Sequence, residues 1–178
     1  NNSNSPKNIG GYVFKDDDDL HLFTFPTNFT IPANDYYIVC ADTAKFKSFH
    51  PGIKNRIGNF NFGISNKSDA IRLYTSTNLL YQNIYYTDTA APWPNGANGT
   101  GYTIELRNDT IQCDKGSNWT LGCIYGSPGQ RYHKACNPGL TAKVSVSELN
   151  TKPPVYNDDG GWIELHNYGT SSLDISGW

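Results

Sequence analysis

The end of the chain alternates apolar and polar residues in a pattern that restricts it to β structure. Over Trp162–Asn167 the sequence reads Trp-Ile-Glu-Leu-His-Asn, and after a polar Gly-Thr-Ser-Ser loop a similar stretch begins at Leu173. A period of two residues is what a half-buried strand requires. Because an unpaired strand leaves backbone donors and acceptors unsatisfied, this segment must find neighbouring strands. We expect them at the other terminus.

The composition extends this expectation to the whole chain. Seventeen Gly and ten Pro are spread through connections rich in Asn, Asp, Ser and Thr, and these residues supply the many turns of an all-β fold. Twelve Tyr and no Met also favour strands over helices. A length of 178 residues suits one domain with part of a second.

Local patterns place several elements along the chain. Ala70–Tyr74 and Leu79–Tyr86 predict two strands around a turn, and Tyr102–Leu106 predicts another. Asp42–Phe49 predicts the one helical turn, because Asp42 is a suitable N-cap and two Phe residues fall three apart on one face. The stretch from Cys113 to Pro138 is predicted to be irregular.

Charge and hydropathy exclude several partners. There are 14 Lys and Arg against 16 Asp and Glu, so no basic face is expected for nucleic acid or anionic lipid. No apolar run approaches the roughly 18 residues that a membrane span needs. The Asn-rich start lacks both the basic and the apolar part of a signal peptide, so we expect the chain to be a fragment of a longer protein.

The four cysteines indicate disulfides rather than a metal. Cys40, Cys113, Cys123 and Cys136 contain no Cys-x-x-Cys pair, and no His stands at zinc-finger spacing. An even number in a turn-rich chain favours two disulfides and an oxidising, extracellular compartment. The four residues allow three connectivities. We favour Cys123–Cys136, which would close a loop of turn residues, and by elimination Cys40–Cys113.

Six Asn-x-Ser/Thr triplets are compatible with export. Chance is the favoured explanation, because the chain is rich in Asn and Thr. The triplets begin at Asn1, Asn28, Asn66, Asn98, Asn108 and Asn118.

The acidic run Asp16–Asp19 raises the question of calcium. It lacks the Gly and the distal Glu of a calcium-binding loop, and a metal site needs ligands that converge from spaced positions. Adjacent Asp residues repel each other and resist burial. The run therefore predicts a solvated hairpin loop, and we expect no metal site.

The two ends of the chain resemble each other. With Asn167 set over Asn1, three further positions are identical without a gap, and Trp178 falls on Tyr12. This match places a strand–turn–strand boundary at both ends. We therefore predict a β domain, a barrel or a sandwich, over residues 1–138 that lacks its first strands, a linker over 139–143, and the first strands of a following repeat over 144–178. The last segment is predicted to complete the domain in permuted order.

Ordered motifs along nearly the whole chain resemble the lamin-tail domain family. At the C-terminal end the motifs are Val146-Ser-Glu-Leu-Asn, Trp162-Ile-Glu-Leu-His-Asn and Leu173-Asp-Ile-Ser-Gly-Trp; from the N-terminal end they are Tyr12-Val-Phe-Lys-Asp-Asp, Phe23-Thr-Phe-Pro, Ile31-Pro-Ala-Asn-Asp-Tyr-Tyr-Ile-Val, Asp69-Ala-Ile-Arg-Leu-Tyr, Ala91-Pro-Trp-Pro, Gly101-Tyr-Thr-Ile-Glu-Leu, Asn118-Trp and Gly126-Ser-Pro-Gly. The resemblance implies an immunoglobulin-like β-sandwich that is non-catalytic and occurs in tandem or beside enzymes in secreted bacterial proteins. It carries no active-site residues, and the four cysteines are not part of it.

The residues themselves also point away from catalysis. The chain has no Gly-x-Ser-x-Gly elbow, no His-Glu-x-x-His and no phosphate loop, and its four His at 21, 50, 133 and 166 lie far apart in sequence. We therefore expect neither an enzyme nor a cofactor.

Two functions remain, and we favour the first. The first is a structural or adhesive module of a larger exported or cell-surface protein, which contacts neighbouring domains or other surface proteins. Its last strands would either fold back or pass to a second copy in a strand-swapped dimer. The second is a carbohydrate-binding module in which Trp93, Trp119, Tyr85 or Tyr86 stacks on sugar rings. Trp93 is expected to pack across the end of the sandwich rather than to face outward, because large aromatic residues are mostly buried.

Overall fold

The structure, a computed structural model, describes residues 1–133, 144–150, 161–173 and 175. Within these residues it is an all-β protein, as the composition predicts. The chain divides into two compact units, Asn1–Cys136 and Asn137–Trp178. None of the helices in the described ranges is long and apolar enough to cross a membrane.

The described residues of the first unit form ten short strands and one helix longer than a single turn. The strands are β1 (Lys7–Asn8), β2 (Val13–Lys15), β3 (Phe23–Thr24), β4 (Thr30–Ile31), β5 (Ile38–Cys40), β6 (Arg56–Gly58), β7 (Ser68–Tyr74), β8 (Leu80–Thr87), β9 (Tyr102–Leu106) and β10 (Trp119–Ile124). The helix α1 (Thr43–Phe49) lies between β5 and β6, and a 3₁₀ turn (Gly116–Asn118) precedes β10.

The largest sheet is antiparallel and has the strand order β3-β2-β7-β8. It includes the predicted hairpin of β7 and β8, in which β8 is an edge strand and Ile71 faces Ile84. The turn between them contains Asn78 at a φ of 61°, a left-handed conformation that Asn adopts more readily than most residues. Smaller antiparallel pairs join β1 to β4 and β9 to β10.

The strand β10 corrects the prediction of an irregular stretch after Cys113. Trp119 faces Leu106 of β9, and the register shifts once between Leu121 and Ile124. Gly122 and this bulge interrupt the alternation on which the prediction depended. Pairing with the regular strand β9 stabilises a segment whose own pattern is weak.

The helix begins where the sequence predicts. Asp42 has an extended backbone, and its Oδ1 accepts hydrogen bonds from the amides of Ala44 and Lys45 at 2.9 Å. An N-cap of this kind satisfies two of the amides that the first turn leaves without partners. The next strand, β6, pairs in parallel with β5 and ends at Gly58. A Cβ at Gly58 would collide with the backbone of Cys40, so only glycine permits this close pairing.

The core of the first unit is aromatic. Five buried residues form it, namely Ile9, Phe14, Phe25, Phe60 and Phe62. The ring centroids of Phe60 and Phe62 are 4.5 Å apart, and those of Phe14 and Phe60 are 5.5 Å apart. Burial of such rings supplies most of the favourable free energy of a domain this size.

In the second unit two antiparallel strands are described, β11 (Val144–Asn150) and β12 (Trp162–Asn167). Both strands were predicted. The linker predicted at 139–143 lies outside the described residues, as does most of the strand predicted from Leu173. The prediction that residues 144–178 complete the sandwich of the first unit stays a prediction.

Candidate functional site

Three of the four predicted ligand-stacking residues line one cavity of the first unit. Tyr86 lies in β8, Trp93 in the loop that follows it, and Trp119 at the start of β10. The cavity has a volume of about 590 Å³. We call it the aromatic cleft. The ring centroids are 6.4 Å apart for Tyr86 and Trp93 and 5.7 Å apart for Trp93 and Trp119, so the three rings form one cluster.

The fourth predicted residue, Tyr85, does not line this cavity. Successive side chains of a strand point to opposite faces of the sheet. Ile84 and Tyr86 both line the aromatic cleft, whereas Tyr85 between them is 58% exposed. The structure therefore separates two adjacent tyrosines that the sequence placed in the same group.

The Trp93 ring packs against the backbone of the 3₁₀ turn. A Cβ placed on Gly116 would lie 2.8 Å from two atoms of the ring, so the indole covers this glycine directly. Trp93 and Trp119 are both half-buried, and the indole Nε1 of Trp119 donates a hydrogen bond to the carbonyl of Cys113 at 2.8 Å. The expectation that Trp93 packs rather than faces outward agrees with these contacts.

A chain of polar side chains lies beside the rings, and sequence analysis did not assign it to a site. Asn66 Nδ2 donates to Asn98 Oδ1 at 2.7 Å, and Asn98 Nδ2 donates to Asp88 Oδ2 at 2.7 Å. The other carboxylate oxygen, Asp88 Oδ1, is buried without a hydrogen-bond partner among the described residues. Both asparagines belong to Asn-x-Ser/Thr triplets, but that motif gives no indication of their common position.

The phenol of Tyr86 stays neutral in this environment. Burial raises the pKa of Tyr86 to about 12, and the negative charges of Asp69, Asp17 and Asp16 act in the same direction. Its hydroxyl donates a hydrogen bond to the carbonyl of Ser65. The ring is therefore held in place as an uncharged wall of the cleft.

A second cavity of the first unit, of about 580 Å³, contains a polar triad. The Tyr36 hydroxyl donates to Asp109 Oδ2 at 2.9 Å, and Arg131 Nη2 lies 2.9 Å from Asp109 Oδ1. Burial would raise the pKa of Asp109, but the hydrogen bond from Tyr36 and the charge of Arg131 outweigh this effect and hold the pKa below its usual value. The triad joins distant parts of the chain, and its charges are already paired.

The acidic run differs from its prediction at one residue. Asp17, Asp18 and Asp19 are exposed, as expected for a solvated loop, but Asp16 is only 2% exposed. The burial of Asp16 is offset by a 2.7 Å contact between its Oδ2 and Nδ1 of His21, and by the amide of Asp18, which donates to its Oδ1. The assumption that every carboxylate of the run would resist burial was therefore wrong for Asp16.

Asp16, Asp17 and Asp69 place one carboxylate oxygen each within 4.8 Å of one another. This is the spacing of a potential cation site. Asp69 is 2% exposed and accepts three backbone hydrogen bonds, from Asp17 and Ala70 at Oδ1 and from Ser65 at Oδ2. Its oxygens are therefore already used to hold together segments that are distant in the chain.

The cysteines correct one of the two predicted disulfides. Cys40 and Cys113 are free thiols, so the predicted Cys40–Cys113 bond is wrong. Each sulfur has a different neighbour: Cys40 Sγ contacts the carbonyl of Ile57 on β6, and Cys113 Sγ accepts a hydrogen bond from Gln82 on β8. Cys123 is disulfide-bonded. Because Cys136 lies outside the described residues, the pairing of Cys123 with Cys136 stays a prediction.

Comparison of the chain with protein-family models, curated proteins and solved structures finds no match.

Proposed function

We propose that the chain is a non-catalytic structural or adhesive module of a larger exported or cell-surface protein, built as an immunoglobulin-like β-sandwich of the lamin-tail type. The several antiparallel sheets support the sandwich, and the order of motifs along the sequence supports the family. The observation that carries the functional proposal is the apolar face of the β11–β12 hairpin.

Four exposed aliphatic side chains lie on this face, beside the half-buried Val144. Val146 faces Leu165, and Leu149 faces Ile163, in the antiparallel register. Their exposed fractions are 56%, 45%, 60% and 62% in that order. A bulge at Ser147 brings Val146 and Leu149 onto the same face although they are three residues apart.

The opposite face of the hairpin is polar apart from Trp162. It contains Glu148, Glu164 and His166, and the Ser147 hydroxyl donates a hydrogen bond to the Glu164 carboxylate. The hairpin is therefore amphipathic. A two-stranded hairpin is marginally stable in water on its own and needs its apolar face covered. Covering a fully exposed aliphatic side chain is worth roughly 1.5–3 kcal/mol.

The partner we propose is a β domain of the same polypeptide. Residues 167–178, which begin at the last residue of β12, are identical to residues 1–12 of the first unit at four of the twelve positions. A hairpin of this kind therefore belongs with a β domain of the type that the first unit represents. A structural module that binds its neighbours through strand faces needs no catalytic residues.

The test is the solution mass of the chain by light scattering, beside a version that ends at Pro138. We expect the whole chain to be a monomer. The truncated version should lose thermal stability or aggregate, because it lacks β11 and β12 and the contacts that their apolar face makes. A dimer that becomes monomeric on truncation would assign the partner to a second copy and support a swapped assembly. A truncated version with the same oligomeric state and the same unfolding temperature as the whole chain would contradict the proposal.

A pair of substitutions tests the face itself. Ile163→Ser removes an aliphatic side chain from the apolar face, and His166→Ser changes a neighbouring position on the polar face. If the apolar face is covered in solution, Ile163→Ser lowers the free energy of unfolding by about 1–3 kcal/mol, whereas His166→Ser changes it by less than about 0.5 kcal/mol. Equal small effects in urea unfolding would mean that the face stays uncovered.

A further inference from the structure

The chemistry of the aromatic cleft limits what it can bind. Asp88 is the one charged residue among those that line it; the others are aliphatic, aromatic, amide, hydroxyl or glycine residues and one proline. An anionic ligand would meet a carboxylate and no compensating Lys, Arg or His in this lining. Phosphates, nucleotides and acidic sugars are therefore poor ligands for this site.

The rings and the amides of the cleft suit a different ligand. Aromatic faces bind the apolar C–H surface of a ring, while nearby amides and hydroxyls exchange hydrogen bonds with its polar groups. Tyr86, Trp93 and Trp119 supply the first kind of contact, and Asn66 and Asn98 supply the second. A pyranose sugar combines both kinds of surface in one neutral molecule.

The angles between the rings define the shape of the ligand. The planes of Trp93 and Trp119 are inclined by 39°, and those of Tyr86 and Trp93 by 68°. Inclined rings do not form the flat platform that a long, planar polysaccharide surface would need. They form a corner around a cavity of about 590 Å³, a volume in the range of sites for small ligands.

The site is also held in place before any ligand arrives. Trp93 rests on the backbone at Gly116, and Trp119 is fixed by its hydrogen bond to Cys113. Side chains that are already ordered lose little conformational entropy on binding, which favours affinity. We propose that the aromatic cleft binds one neutral sugar residue, at a chain end or in a short oligosaccharide, through Tyr86, Trp93 and Trp119.

The experiment uses the whole chain and a panel of short neutral oligosaccharides, made of glucose, mannose, xylose or N-acetylglucosamine, with oligogalacturonate as the anionic member. Binding is measured by calorimetry and by tryptophan fluorescence, since Trp93 and Trp119 line the cleft. We expect a neutral member to bind with a Kd in the micromolar to millimolar range, and oligogalacturonate to bind at least about tenfold more weakly.

Adjacent tyrosines provide a matched control. Tyr86→Ala removes a wall of the cleft, whereas Tyr85→Ala changes the neighbouring side chain, which does not line it. Ala97→Phe fills the cavity without removing a ring, and so tests the site even if Tyr86→Ala fails to fold. We expect Ala97→Phe and a folded Tyr86→Ala to weaken binding at least about tenfold, and Tyr85→Ala to change it less than about twofold.

Three results would overturn the proposal. The first is no binding of any neutral member at about 10 mM, a concentration above the Kd of even weak specific ligands. The second is tighter binding of oligogalacturonate than of every neutral member. The third is binding that Ala97→Phe leaves unchanged, or that Tyr85→Ala weakens as much as the cleft substitutions do.

Discussion

The imidazole of His21 lies flat against the ring of Phe62, with 4.9 Å between the ring centroids and 7° between the planes. Phe62 belongs to the aromatic core, and Nδ1 of the same imidazole contacts the buried carboxylate of Asp16. His21 therefore connects the core to the start of the acidic loop. The stacking of the imidazole on Phe62 does not require a charge on His21, whereas the contact with the Asp16 carboxylate is favoured when His21 is protonated.

The first prediction concerns pH. The hydrogen bond to Asp16 raises the pKa of His21, desolvation opposes it, and the charges of Asp16, Asp18 and Asp17 add to the increase. A raised folded-state pKa means that this stabilisation is fully present below the unfolded pKa, about 6.5, and is lost as the pH rises through the folded value. We expect the urea midpoint to fall as the pH rises above about 6.5 and through the folded-state pKa of His21.

The variant His21→Gln isolates this effect, because glutamine keeps a hydrogen-bond donor but does not titrate in this range. Its urea midpoint should depend less on pH than that of the original chain. If the urea midpoints of His21→Gln and of the original chain depend on pH in the same way, the contact between His21 and Asp16 does not stabilise the fold as predicted.

The second prediction concerns the buried carboxylate of Asp69. Asp69→Ala leaves three backbone amides without their acceptor, at Asp17, Ser65 and Ala70. Loss of a charged acceptor leaves these backbone amides without a hydrogen bond, which destabilises the folded state. We therefore expect the free energy of unfolding to fall by about 2–4 kcal/mol. Asp17→Ala is the control: its side chain is exposed, its amide is kept, and the cost should stay below about 0.5 kcal/mol. Similar losses in both variants would show that Asp69 has no special role.

The third prediction concerns the contact between Gly116 and Trp93. Gly116→Ala forces the indole ring away from the 3₁₀ turn, because the new Cβ would lie 2.8 Å from its atoms. We expect a loss of about 1–3 kcal/mol in urea unfolding, together with a change in tryptophan emission. Gly63→Ala adds a Cβ that meets nothing within 4 Å, and it should be neutral or slightly stabilising. An unchanged emission spectrum in Gly116→Ala would contradict the packing of Trp93 on this turn.

Elements whose pattern is local could be predicted from the sequence. The hairpin of β7 and β8 has apolar residues at alternating positions on either side of a turn, and α1 has an N-cap with matched Phe residues; both are where they were expected. These patterns depend on neighbours a few residues away, so one sequence contains the information. The strand β10 was missed because its own pattern is interrupted by Gly122 and a bulge.

The candidate site depends on contacts between distant residues, and there the sequence gives less. The choice of Tyr86, Trp93 and Trp119 as ligand-stacking residues stays a prediction, and the cavity that they share depends on how β8, a loop and β10 meet. The burial of Asp16 depends in the same way on His21. The predicted pairing of Cys40 with Cys113 depended only on the number of cysteines, which gives no information on the distance between two sulfur atoms.

The bulge at Ser147 lets β11 contain one residue more than the strand it pairs with. In a regular strand residues three apart point to opposite faces, so Val146 and Leu149 share the apolar face because the bulge accommodates Ser147 as the extra residue. Loss of residue 147 would restore the plain alternation Val-Glu-Leu and leave both side chains on that face. Position 147 is therefore a place where this strand can change its length by one residue and still keep its apolar face.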